Sequence, residues 1–116
     1  MERDPRAYLW EVPQAAEAIL TFTAGLDFAA YAQSELVQSA VERKFEIIGE
    51  ALGQLSKYAP DLAARVTHSR RVVDFRNQLI HGYHQVKHDI VRHTVQTELP
   101  TLRAEATLLL DELGPA

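Results

Sequence analysis

Residues 35–57 decide the fold class of this chain, and their sequence is ELVQSAVERKFEIIGEALGQLSK. The apolar residues of this stretch recur at steps of four, four, three, four and three, which is the spacing of one face of an α-helix. Six residues form this stripe: Val37, Val41, Phe45, Ile48, Leu52 and Leu55. Four further residues widen it: Leu36, Ala40, Ile47 and Ala51. A face of this width is typical of a bundle helix that packs against two neighbours.

Helical spacing also extends to both sides of this stretch. Residues 8–22 carry apolar side chains at steps of four and three, which predicts a first helix. Residues 72–80 predict a shorter helix that ends near Gly82. Residues 87–113 predict a last helix with a kink at Pro100. We find no sustained alternation of apolar and polar residues bounded by hairpin turns, as strands would require. The pattern predicts an all-α protein, a four- to five-helix up-and-down bundle. The apolar stripes exceed what one small bundle needs, which favours a homodimer.

Length and composition limit the class of protein. The 116 residues fit one domain over residues 1–116, and 47% hydrophobic with 24% charged residues is ordinary for a globular protein. No apolar run approaches the roughly 18 residues that span a bilayer, and the charged N-terminus does not resemble a signal peptide. Cysteine is absent, so disulfides and zinc–thiolate sites are excluded. We therefore expect a cytoplasmic protein with no membrane partner.

Charge is unevenly distributed along the chain. The net charge is −4, yet residues 65–93 carry +4 and contain all five histidines, so the remainder carries −8. Such a segment is either a solvated face or a local site for anions on an acidic protein. The acidic total argues against a general coat for nucleic acid, and we predict no DNA partner. Three cations of this segment are candidates for binding phosphate or RNA: Arg70, Arg71 and Lys87.

The residues best suited to catalysis or ligand binding lie in DFRNQLIHGY, residues 74–83. Arg76 can give bidentate hydrogen bonds to phosphate, and His81 can exchange a proton near neutral pH. Asn77, four residues before His81, can orient either the imidazole or a substrate. Gly82 favours a helix end there, which would gather these groups at one tip with Tyr83. From the residues alone, structural caps at a helix end are the commoner interpretation.

Two motifs in this chain favour a functional site over structural caps. Arg76-Asn77-x-x-x-His81-Gly82-Tyr83 resembles the Arg-x4-His-x-Tyr motif of HEPN ribonucleases of the HepT type. The segment VERKFEIIGEA, residues 41–51, is similar to that family's second-helix signature. The order of helices, the proline after the second and Leu99-Pro100-x-Leu102 in the last are also similar. The resemblance covers residues 8–113, nearly the whole chain.

The resemblance implies a fold, an activity and a partner. It implies a HEPN-like helical homodimer with the motif at the interface, and a metal-independent endoribonuclease that needs no cofactor. Arg76 would stabilise the phosphate, His81 would manage the proton and Asn77 would orient. The chain would be the toxin of a type VII-like toxin–antitoxin pair. A minimal nucleotidyltransferase antitoxin would silence it by adding AMP to Tyr83.

Two other functions stay open at this point. The family resemblance is also compatible with a non-catalytic companion that binds nucleotide or substrate for a separate nucleotidyltransferase. That role would use Arg76 for phosphate but would not need proton transfer by His81. The second is a metal site at His81, His84 and His88, although surface histidines at the start of a helix are the commoner outcome.

The second helix holds two further features of interest. Glu42, Glu46 and Glu50 step by four along one face and could form a carboxylate site, a solvated face, or partners for Arg43 and Arg76. Gly49 is unfavourable in a helix interior by roughly 1 kcal/mol relative to alanine. It either permits a close helix approach or lets Glu50 reach the motif.

Overall fold

The fold is built from helices alone in the part of the chain that the structure describes. The structure is a computed structural model that describes residues 4–67, 69–80 and 88–114, and within these ranges there is no strand. The described ranges contain seven helices: α1 (Pro5–Thr23), α2 (Phe28–Gln33), α3 (Glu35–Tyr58), α4 (Pro60–Ala63), α5 (Ser69–Ile80), α6 (His88–Thr97) and α7 (Leu99–Leu113). The predicted all-α class is confirmed. Single-domain organisation stays a prediction. The homodimer also stays a prediction, because the structure is of one chain.

Side chains in the sequence mark where the long helices begin. Asp4 accepts a hydrogen bond from the backbone N–H of Arg6 at 2.9 Å, and Pro5 occupies the first turn of α1, where no N–H is needed. The hydrogen bonds from the Arg6 side chain and backbone lower the pKa of Asp4 to about 2. Ser34 Oγ accepts from the backbone N–H of Val37 at 3.2 Å and caps α3. Local sequence therefore accounts for both helix starts.

Helix α3 forms the centre of the bundle. It packs against α1 on one side and α5 on the other, and α1 also packs against α7. The core contains fully buried side chains from these helices, among them Leu9 and Ile19 of α1, Phe45 and Leu52 of α3, and Leu102 of α7. The wide apolar face of α3 is thus used on two sides, as its spacing predicted.

The described helices outnumber the predicted ones for two reasons. The short helices α2 and α4 lack the length that periodic spacing needs to be recognised. The last predicted helix is broken at Glu98 into α6 and α7, two residues before the predicted kink at Pro100. A proline has no N–H to donate and its ring clashes with the carbonyl four residues earlier, so the break falls ahead of Pro100.

The prediction that Leu36 widens the apolar face of α3 is wrong. Its side chain is 82% exposed, whereas Phe45, nine residues later, is fully buried. Nine residues at 3.6 per turn place the two on opposite sides of the helix. The bundle contacts of α3 select the side of Phe45, which leaves Leu36 in solvent. In the described ranges, no helix is long and apolar enough to cross a membrane.

Candidate active site

An aromatic contact fixes how α5 lies on α3. The rings of Phe45 on α3 and Phe75 on α5 meet edge to face, with centroids 5.1 Å apart and planes inclined at 65°. Both side chains are buried. Because Phe75 directly precedes Arg76, this contact also fixes the rotation of α5 and directs Arg76 along the surface of α3.

Gly49 makes room for the stem of Arg76. A methyl group added to Gly49 would lie 2.3 Å from Cβ and 2.5 Å from Cγ of Arg76, far inside van der Waals contact. These atoms are close to the α5 backbone, so they could not move away without moving the helix. The close helix approach that we considered for Gly49 is confirmed, and it is Arg76 that approaches.

The guanidinium of Arg76 is held by two acceptors. Its Nη2 donates to Oε2 of Glu50 at 2.7 Å, and its Nη1 donates to Oδ1 of Asn77 at 3.1 Å. Glu50 is itself held through Oε1, which accepts from the side-chain amide of Gln54 at 3.2 Å. The side chain of Arg76 is 26% exposed and that of Glu50 is 54% exposed. The charged group therefore reaches solvent at one edge while its stem is buried.

The ion pairs of α3 decide between the interpretations that its carboxylates allowed. Glu50 is the partner of Arg76, and Glu46 accepts from Arg43 at 3.1 Å, as one of our alternatives proposed. Among the described residues, no three His, Cys, Asp or Glu side chains are placed to hold a metal ion. The histidine metal site proposed from His81, His84 and His88 lies outside the described side chains.

The other predicted site residues fall into two groups. His81, Tyr83 and Lys87 lie outside the described residues, so their place beside Arg76 stays a prediction. Arg71 is described, and its Nη1 donates to Oε1 of the buried Glu98 at 2.7 Å, a hydrogen bond that raises the pKa of Arg71. This pairing gives Arg71 a structural contact between α5 and the start of α7.

A groove that the sequence did not reveal runs beside Arg70. It lies between the C-terminal half of α3, helix α4 and the start of α5, and its lining includes Gly53, Ser69, Arg70, Val73 and one carboxylate, that of Asp74. Arg70 is exposed, and no ion pair joins it to another residue of the described ranges. The signal that could have indicated the groove is Gly53, which follows Gly49 by one helical turn and leaves α3 without a side chain there.

The arrangement can therefore bind an anion in a defined orientation. Arg76 carries a permanent charge, its donors are directed by Glu50 and Asn77, and it lies on the same α3–α5 interface as the groove that Arg70 lines. Planar donors of this kind match the oxygens of a phosphate group. The fold and site thus define a helical protein with a built-in, partly exposed arginine suited to phosphate.

Comparison with known proteins identifies the family. The model of the HepT-like family, described as ribonuclease HepT-like, matches residues 12–109, so the chain belongs to this family. A Thermococcus cleftensis protein named “Probable ribonuclease HepT” is 32% identical over 108 residues, which cover 90% of this chain and 94% of that protein. Two Methanocaldococcus jannaschii proteins, both named provisionally as RNases, are 27% and 25% identical to this chain. The matched region covers 97% of this chain in both cases, and it covers 96% of the first protein and 92% of the second. No solved structure matches significantly.

The two glycines of α3 supply a matched test of the Arg76 packing. Gly49→Ala should destabilise the protein by about 1–3 kcal/mol, because the added methyl forces α5 away from α3. Gly53→Ala meets nothing within 4 Å and should stabilise the helix by up to about 1 kcal/mol. Urea denaturation of both variants measures the difference. Equal stability changes in the two variants would contradict the close approach at Arg76.

Proposed function

We propose that this protein is a HepT-type toxin, a metal-independent endoribonuclease. The observation that carries the proposal is the oriented guanidinium of Arg76 on Gly49, within a chain of the HepT-like family. The names of the relatives describe those proteins as ribonucleases. In the proposed homodimer, the motifs of the two subunits face each other across the interface, so each site draws on both chains.

The proposed reaction needs only groups that the chain or the RNA supplies. The ribose 2′-hydroxyl loses its proton and its oxygen attacks the adjacent phosphorus, while the bond from phosphorus to the 5′-oxygen breaks. The products are a 2′,3′-cyclic phosphate and a 5′-hydroxyl that takes up a proton. Arg76 stabilises the charge that grows on the phosphate oxygens, and His81 transfers the proton. Asn77 orients Arg76 through the hydrogen bond that its Oδ1 accepts from Nη1 of Arg76.

Cleavage in the absence of metal tests this mechanism. Partner-free protein should cut a labelled RNA in EDTA, and His81→Ala should lower the rate by at least about 100-fold, because general acid–base catalysis contributes that much or more. Gel analysis of the products, with intact mass to confirm that the protein is unmodified, makes the measurement. Unmodified protein that binds the RNA without cutting it would favour the nucleotide-binding companion instead.

We further propose that a nucleotidyltransferase antitoxin controls the toxin through Tyr83. The phenol of Tyr83 would lose its proton and its oxygen would attack the α-phosphorus of ATP. The bond from that phosphorus to the bridging oxygen of pyrophosphate would break, which leaves AMP on Tyr83 and releases pyrophosphate. An adenylyl group on this residue would place a bulky anion in the motif and compete with RNA for Arg76. The support is the motif position of Tyr83 within the family resemblance.

Replacement of Tyr83 tests the modification. Incubation with the antitoxin and ATP should add the mass of one AMP to each wild-type chain, and Tyr83→Phe should show no increase because it lacks the acceptor oxygen. Tyr58→Phe, at the end of α3, serves as the matched control and should be modified like the wild type. A full mass increase on Tyr83→Phe would remove Tyr83 as the acceptor.

RNA flanking the cut would follow the groove between α3, α4 and α5. Arg70 lines this groove and has no carboxylate partner in the described ranges, whereas Arg71 is engaged by Glu98. Arg70 is thus better placed than Arg71 to contact a second phosphate. Lys87 is the third cation that we proposed for RNA, and it lies outside the described residues.

The salt dependence of RNA binding tests the contribution of Arg70. Loss of one contact to a single-stranded phosphate should reduce the slope of log affinity against log salt by about 0.7, so Arg70→Gln should show this change with little effect on kcat. Arg103→Gln removes an equal charge from α7 at a residue that does not line the groove and that pairs with Glu17, so it should leave the slope unchanged. Identical slopes in wild type and Arg70→Gln would exclude the contact.

A further inference from the structure

The donors of Arg76 are divided unequally between the protein and solvent. A guanidinium has five N–H donors in one plane. One N–H of Nη2 is taken by Glu50 and one of Nη1 by Asn77. Nε is buried and has no hydrogen-bond partner within the described ranges. The donors left for a bound phosphate are therefore the remaining N–H groups of Nη1 and Nη2, at the exposed end of the side chain.

Glu50 is placed to control those donors rather than to stabilise the fold. The side chain is more than half exposed, and exposed ion pairs add little to the stability of a protein. Gln54, one turn further along α3, donates to its second oxygen and limits the positions that the carboxylate can adopt. With the stem of Arg76 fixed on Gly49 and one terminal nitrogen fixed on Glu50, the plane of the guanidinium is set at two points.

The carboxylate of Glu50 acts on a bound phosphate in two opposite ways. As a hydrogen-bond acceptor, it fixes the orientation of the guanidinium and so favours the reacting geometry. As an anion, it partly neutralises Arg76 and so weakens the attraction of Arg76 for another anion. Substitutions can separate the effects, because glutamine keeps an acceptor oxygen without the charge and alanine keeps neither.

We propose that Glu50 is a positioning residue for Arg76: it holds Nη2 so that the free terminal N–H groups face the substrate phosphodiester, at the expense of binding strength. This role rests on the proposed ribonuclease function for its effect on turnover. Its effect on the binding of a phosphodiester does not depend on cleavage. Measurements of turnover and of phosphodiester binding can therefore distinguish a failure of the ribonuclease proposal from a failure of the proposed role of Glu50.

The test compares Glu50→Ala and Glu50→Gln with the same substitutions at Glu17. Glu17 is a matched control, since it also joins two helices through an arginine, Arg103 at 3.2 Å, and is 66% exposed. The full chain is used throughout. Steady-state cleavage of a labelled RNA gives kcat and KM, and fluorescence anisotropy gives the affinity for an all-deoxy oligonucleotide of the same sequence, which has no 2′-hydroxyl and cannot be cut. Thermal unfolding checks that each variant is folded.

Glu50→Ala should lower kcat by about 10- to 100-fold, the range seen for residues that orient the ligands of a metal site, which act on the reacting group in the same indirect way. Glu50→Gln should recover most of that loss, and both Glu50 variants should bind the deoxy oligonucleotide several-fold more tightly at low salt. The Glu17 variants should match the wild type in kcat and in affinity. A merely structural role would lower the thermal stability of Glu50→Ala and would not produce tighter binding.

Each adverse result has a separate meaning. A kcat of Glu50→Ala equal to that of the wild type would overturn the positioning role, as would a loss that glutamine does not reverse. If the wild type cuts no RNA, the ribonuclease proposal fails, and the deoxy oligonucleotide alone decides whether Glu50 restrains Arg76. Unchanged affinity in both Glu50 variants would then overturn the inference on Glu50 as well.

Discussion

The close approach of α5 to α3 at Gly49 is the constraint on which the rest of the site depends. A side chain at position 49 would occupy the space of Cβ and Cγ of Arg76, so the arginine can lie flat on α3 only over a glycine. The neighbouring Phe45–Phe75 contact holds the two helices at this distance. A glycine that is locally unfavourable in a helix is therefore compensated by a contact between helices, and that contact buries the stem of a charged residue while its terminal nitrogens reach solvent.

Tertiary pairing divides the arginines of the basic segment by role. Arg71 reaches across to the buried Glu98, and Arg65 pairs with Glu112 near the end of α7 at 2.5 Å. Arg76 is held by an exposed carboxylate and an amide, and Arg70 faces a groove without an ion pair in the described ranges. A charge that is clustered in sequence is thus shared between fold and site. Arg76 and Arg70 both lie along the α3–α5 interface, where a local positive charge on an acidic protein can attract an anion.

The break at Glu98 links this interface to the last helix. Glu98 is buried, ends the run of α6 before Pro100 and accepts the hydrogen bond from Arg71. A buried carboxylate is costly without a partner, so the position of α5 and the bend between α6 and α7 are coupled through this pair. Thr67 adds a second connection, because its backbone N–H and hydroxyl both donate to Glu105 of α7, at 3.0 and 2.5 Å. The start of α5 is thereby fixed to α7 while its later part lies on α3.

The sequence by itself determined the helical class, the course of α3 and the family. These features depend on residues within a few positions of one another, whose spacing repeats with the helical period. It also identified Arg76 and raised Glu50 as a partner, without deciding between that partner and a carboxylate site. Only the tertiary structure decided that Glu50 holds Arg76 across 26 residues, that Arg71 is engaged by Glu98 while Arg70 faces a groove, and that Leu36 is left in solvent. The reason is physical: such contacts depend on how whole helices rotate and approach, which packing in the core sets and local spacing does not encode.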